Sequence, residues 1–319
     1  MNVRSMMSLL SFVLLAAMPA AASASARAQE PAAEPAAEVT KQLGPADIIM
    51  PHITDSRGVE YPCFKSLSEW ACEAEFPTWH IAGKDITITK HVFFLMVAAL
   101  LTLALLLGVA SSHRRHSAQI GRPKGFGAGM EAVILYLRNE IYMPVLGGHG
   151  GEKYVPFCLT LFFFIMMCNL IGLVPWGSTP TGNIAVTATL AVITFVVVEV
   201  AGMRALGAGY LGTIIYWPHD MSLPMKLGLT IILTPVELVG KFTKPFALTI
   251  RLFANMMAGH VIVLALIGLI FMFGFGVALG SIPMALFIMG LEIMVAFIQA
   301  FIFSLLAAVF IGQIRSAHH

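Results

Sequence analysis

Arg251, His260, Glu292, Gln299 and Glu237 are the residues of this 319-residue chain whose types and spacing could carry a moving charge. All stand in apolar runs. Arg251 lies in Pro245-Phe246-Ala247-Leu248-Thr249-Ile250-Arg251-Leu252-Phe253-Ala254-Asn255-Met256-Met257-Ala258-Gly259-His260. An arginine keeps its proton in any protein environment, and placing it at the centre of a bilayer costs about 2.5–3.5 kcal/mol on insertion scales. Its i±3 and i±4 neighbours are Ala247, Leu248, Ala254 and Asn255, none acidic. Any counter-charge therefore comes from another helix or another chain. The plainer alternative is that Arg251, with Lys241 and Lys244, flanks a spanning helix and snorkels to the interface.

The spacing speaks against that alternative. If the apolar runs on either side of the glycine-rich residues 273–280 form an antiparallel hairpin, residues at equal depth share a midpoint. Residues 251 and 299 average 275, and residues 260 and 292 average 276, both inside the glycine-rich stretch. Glu292 and Gln299 are seven apart, about two turns, and share a face. Glu237 precedes Arg251 by fourteen residues, about 21 Å along a straight helix on the opposite side. Ionisable groups thus flank a fixed positive charge on both sides, as proton relays do and snorkelling residues need not. An imidazole titrates near neutral pH and a carboxylate accepts its proton, so His260 with Glu292 suits proton transfer.

Other chemistries fit less well. His260, Glu292 and Glu237 could serve a membrane metalloenzyme, but there is no His-Glu-x-x-His and no Cys/His cluster, so no metal, cofactor or catalytic residue is expected. A proton-coupled secondary transporter is the alternative; it would show an internal repeat between halves, and none is visible. The basic residues are scattered, without the basic and aromatic interleaving of nucleic-acid binders.

The elements that position these residues follow from hydropathy. With 58% hydrophobic and 11% charged residues, net charge +2 and mean hydropathy +0.85, the chain is an integral membrane protein. Residues 1–28 read as a secretory signal peptide, with Arg4, an apolar stretch at 9–17 and small residues near 24–28; an uncleaved anchor is the alternative. Residues 29–90 form an external extension. Its first part is a Pro/Ala/Glu-rich tail to residue 45, and its second a small folded or membrane-apposed piece with Trp70, Trp79, Cys63 and Cys72. Cys63 and Cys72 lie nine apart and stand in an oxidising compartment, where pairing is open.

Residues 91–112 form a first span, closed by His113-Arg114-Arg115-His116 on the cytoplasmic side. Residues 128–146 place Met130, Val133, Ile134, Leu137 and Ile141 on one face of an amphipathic interfacial helix. Spans follow at 155–175 and 184–203, joined by the uncharged turn Gly177-Ser178-Thr179-Pro180-Thr181-Gly182-Asn183. Residues 223–273 are either two elements or one long tilted one, because a perpendicular span needs only about 20 residues. The last run, 283–314, ends at Arg315. The expected fold is an all-α membrane protein of about five membrane-embedded helices, the last two a long tilted hairpin, plus the amphipathic helix. The N-terminus lies in the periplasm and the C-terminus in the cytoplasm of a bacterial inner membrane.

The run Pro235-Val236-Glu237, Lys244-Pro245, Arg251-Leu252-Phe253-Ala254-Asn255-Met256, Gly259-His260, with Gln299-Ala300-Phe301 and Pro180-Thr181-Gly182-Asn183, resembles subunit a of the F-type ATP synthase membrane sector. The resemblance covers residues 91–315, within a membrane domain at 91–319. It implies a non-catalytic stator subunit that couples ion translocation to rotation of a c-subunit ring. Arg251 would separate two aqueous half-channels, with Asn255, His260, Glu292 and Gln299 lining the outer one and Glu237 belonging with the inner one. It implies as partners the c-ring, b-type peripheral stalk subunits and the rest of the F1Fo complex, in a lipid membrane and without nucleic acid. Two positions depart from the pattern. Ala254 replaces a common glycine, and His260 and Glu292 exchange the glutamate and histidine of many bacterial members.

Overall fold

The computed structural model describes residues 56, 58–62, 71–76, 78–81, 84–117, 125–174, 177–213 and 223–316. The expected signal segment, the Pro/Ala/Glu tail and Cys63, hence its pairing with Cys72, lie outside the described residues. Among those described, five helices are long and apolar enough to cross a membrane.

Two small antiparallel hairpins precede the helices. Strand β1 (Gly58–Pro62) pairs with β2 (Ala71–Glu75), with Gly58 opposite Glu75 and Pro62 opposite Ala71. Strand β3 (Thr78–Ile81) pairs with β4 (Lys84–Thr87). The all-helical architecture expected from hydropathy holds for the membrane domain. The expected small folded piece before it is β-structured, and the Lys90 backbone N–H donates to the Ser56 carbonyl at 3.0 Å where it joins the first helix.

Helix α1 (Lys90–Ser117) is the first span. Helix α2 (Phe126–Tyr136) continues through a wider π turn at Leu137–Tyr142 into a single turn at Met143–Leu146. Ile134 and Leu137 of the expected apolar face are buried and Met130 and Ile141 pack against the core, but Val133 is exposed. The π turn adds a residue per turn and so re-aims the side chains that follow it. Tyr142 is thereby fully buried, its hydroxyl 2.7 Å from that of Ser304.

Helices α3 (Val155–Gly172) and α4 (Ile184–Leu206) are the next two spans. The polar turn between them ends on Asn183, whose side-chain oxygen accepts from the Ala185 N–H at 2.9 Å and caps α4. Threonines 102, 160, 189 and 194 return their hydroxyls to the carbonyl four residues back. That internal bond lets a hydroxyl sit where no water competes.

Residues 223–273 form one element, α5 (Leu223–Phe273), continuous through Pro235 and Pro245. At 1.5 Å per residue its 51 residues extend about 76 Å, far beyond a hydrocarbon core of about 30 Å, so it cannot stand upright in a bilayer. Helix α6 (Phe275–Ser316) starts earlier than the apolar run suggested and contains Pro283. The chain reverses at one residue, Gly274, with φ of 81°, a conformation that a side chain disfavours. The rest of the glycine-rich stretch is helical.

The packing is asymmetric. Helix α3 is central, with Leu159, Phe163, Phe164 and Ile165 almost completely enclosed. Helix α6 buries Ala296, Ala300, Phe303, Ala307, Ala308 and Ile311, its small side chains allowing close helix approach. Helix α5 buries the narrow stripe Leu248, Leu252 and Met256 and leaves Phe246, Ile250, Ile262 and many others uncovered by the rest of the chain.

Candidate functional site

The α5–α6 hairpin carries the site. On α5 the buried stripe Leu248, Leu252, Met256 recurs every fourth residue, and the helix surface flanking that narrow stripe is left uncovered by the rest of the chain. Arg251 and Asn255, one turn apart, are both exposed there, as are Ala247, Ala254 and Ala258. Arg251 makes no ion pair or hydrogen bond among the described residues. An uncompensated guanidinium thus sits on an uncovered apolar helix face, flanked by alanines that leave room for close approach.

His260 and Glu292 meet across the hairpin. His260 Nδ1 lies 3.9 Å from Glu292 Oε1, with the side chains 24% and 5% exposed. Gly259 makes the meeting possible, because a Cβ there would come within 2.8 Å of Glu292 Oε1 and 2.9 Å of its carboxyl carbon. Closer to the turn, the Ser281 hydroxyl donates to the Leu266 carbonyl. The His260–Glu292 contact falls at the register that the midpoint arithmetic predicts, whereas the Ser281 contact centres on the turn residue Gly274 itself. Gln299 is buried on α6 two turns from Glu292. It shares no hydrogen bond with Arg251, which is exposed.

A polar chain that the sequence reading passed over runs into the same stretch of α6. Thr179 and Thr181 hydroxyls lie 2.8 Å apart, Thr181 donates to Asn169 Oδ1 at 2.8 Å, and Asn169 Nδ2 donates to the Ala296 carbonyl at 3.4 Å. Ala296 lies between Glu292 and Gln299. Asn169 and Thr181 are completely buried. The signal was present in the sequence, since an asparagine inside an apolar span is costly unless it faces a polar partner.

Glu237 stands apart from that group. It is exposed on α5 and lines a cavity of about 200 Å³ between α4, α5 and α6, together with Glu199, Lys241, Lys244, Phe310 and Gln313. Lys241 Nζ is 3.5 Å from Glu199 Oε2. The hairpin therefore carries titratable groups in two separate places, with the exposed Arg251 between them in sequence and on the outward face. Among the described residues no group of three or more His, Cys, Asp or Glu is placed to hold a metal ion.

Comparison with known proteins agrees with this arrangement. The family model described as ATP synthase A chain matches residues 92–312. The chain is 43% identical over 277 residues to "ATP synthase subunit a 2" of Chlorobaculum tepidum, covering 86% of this chain and 74% of that protein. It is 46% identical over 239 residues to "ATP synthase subunit a" of Chloroherpeton thalassium, covering 74% and 69%. A protein of the same name from Myxococcus xanthus is 41% identical over 271 residues, covering 77% and 86%. An apolar hairpin with an outward arginine, inward polar pairs and a match over most of its length places this chain in the ATP synthase A chain family.

Proposed function

We propose that this chain is the proton-channel stator subunit of an F-type ATP synthase, with Arg251 as the fixed charge between two half-channels. One observation carries the proposal: Arg251 is exposed on an uncovered membrane helix face with no partner among the described residues. Such a charge is tolerated only if something outside the chain compensates it. The occupant is a ring of c subunits, each presenting a membrane carboxylate. A protonated carboxylate is neutral and tolerates lipid, whereas beside a fixed guanidinium it is favoured as the anion and releases its proton. The guanidinium also repels a proton moving straight along the helix, so the proton completes its path only by riding the ring. Moving one charge through 100 mV releases about 2.3 kcal/mol, and the offset between half-channels turns that into rotation. The chain itself forms no covalent bond.

His260, Glu292, Asn255 and Gln299 line the outer half-channel. The 3.9 Å between His260 and Glu292 is too long for a direct hydrogen bond and suits a bridging water. Glu237, in its cavity on the other side of Arg251 in sequence, serves the inner half-channel. The N-terminus is periplasmic and the C-terminus cytoplasmic in a bacterial inner membrane, and b-type peripheral stalk subunits hold the chain against the torque. A proton-coupled secondary transporter is not favoured, because family membership accounts for the same residues.

Cross-linking in native membranes tests the reading. Asn255→Cys should form a disulfide with a cysteine placed beside the membrane carboxylate of the c subunit. Ala300→Cys, on the buried face of α6, should form none. Absence of the Asn255 adduct in assembled complexes would remove the ring from this face.

A further inference from the structure

Lys241 is held by three groups at once. Its Nζ lies 3.5 Å from Glu199 Oε2 and donates to the Tyr210 hydroxyl at 3.1 Å and the Thr213 hydroxyl at 3.3 Å. An ammonium has three donors, so all are engaged. The Lys241 and Glu199 side chains are only 10% and 17% exposed, and the ammonium also lies 4.6 Å from the centre of the Tyr210 ring.

That arrangement leaves unused a carboxylate that is nearer in sequence. Glu237 precedes Lys241 by four residues on the same helix, the favoured spacing and order for a helical Glu/Lys pair. Both line one cavity, yet Glu237 makes no ion pair among the described residues. The other charged group of the cavity, Lys244, lies 4.9 Å over the Phe310 ring, and the α6 residues that line it, Phe310, Gln313 and Ile314, carry no charge. Glu199 therefore wins a competition for Lys241, helped by two hydroxyls that a pair with Glu237 would forfeit.

We infer that Glu199 is a positioning residue for proton transfer: it draws Lys241 off Glu237 and so leaves Glu237 free to take up and release protons. This rests on Glu237 serving the inner half-channel. Without the Glu199 charge, Lys241 swings back one turn and pairs with Glu237. A carboxylate fixed beside an ammonium in a largely apolar cavity is held as the anion and stops cycling.

The test is ATP-driven proton pumping by the whole complex in membrane vesicles, normalised to assembled complex. Glu199→Gln should slow pumping about fivefold, the factor expected for one partly screened ion pair. Glu199→Gln with Lys241→Gln, which removes both charges together, should return to within about twofold of wild type. Glu237→Gln should slow pumping by itself, and adding Glu199→Gln to it should slow it no further, which mere structural damage would not mimic. Wild-type pumping in Glu199→Gln, no rescue by Lys241→Gln, or an additive loss on the Glu237→Gln background each overturns the inference. Normal pumping in Glu237→Gln instead removes the half-channel role of Glu237, a separate failure.

Discussion

Glu292 Oε1 sits 3.9 Å from His260 Nδ1 in a space that exists because residue 259 has no side chain. An acid and a base from two antiparallel helices thus share one site at a depth fixed by the single-residue turn at Gly274.

If His260 and Glu292 act as one relay, their identities exchange more easily than either is lost. His260→Glu leaves two carboxylates and Glu292→His two imidazoles, and like groups this close disfavour double ionisation. Each single variant should pump at least about tenfold more slowly, and the double exchange should recover a large part of the rate. A double variant no better than the worse single would show that the two are independent.

Gly259→Ala tests the same space from the backbone. The new methyl group would displace the Glu292 carboxylate, the movable end of a flexible side chain, and leave both helices in place. Since a misplacement of about 1 Å can cost as much as a hundredfold in a positioned reaction, pumping should fall by about tenfold or more. Assembly should be unchanged. Retention of full pumping would mean that the carboxylate's position does not matter.

Arg251→Ala should abolish coupled pumping, and Arg251→Lys should lower it by at least about tenfold, because lysine can shed its proton in an apolar site and arginine cannot. ATP-driven quenching of a pH-sensitive dye in vesicles reads this directly. Near-normal quenching by the lysine variant would rule out a requirement for permanent charge.

Tyr142→Phe separates scaffold from channel. The tyrosine is fully buried and its hydroxyl meets Ser304, which also bonds the Phe301 carbonyl at 3.0 Å. Losing the bond should cost about 1 kcal/mol and lower the Tm of the purified protein by about 2–4 °C. Pumping should be unaffected; a matching loss of pumping would make Tyr142 part of the path.

Orientation is testable at the end of α6. Ser316 is exposed there, so Ser316→Cys, in a background lacking the four native cysteines, should resist a membrane-impermeant thiol reagent in intact cells and react after lysis. Labelling of intact cells would invert the topology.

Sequence alone determined the number of spans, the long hairpin and its register, because these follow from local quantities: apolar run length, turn glycines, and polar residues counted along a fixed rise per residue. It also singled out Arg251 as a charge lacking a local partner. It misjudged the face of Val133, which stands at the margin of the apolar stripe, where periodicity does not decide between buried and exposed. The two hairpins in 58–87 escaped it because short strands carry little signal. Only the tertiary structure decided which way Arg251 faces, that Gly259 is the space for Glu292, that Asn169 reaches α6, and that Lys241 pairs with Glu199 rather than with Glu237. Those outcomes depend on contacts between helices far apart in the chain, and facing, unlike depth, is not additive along a sequence.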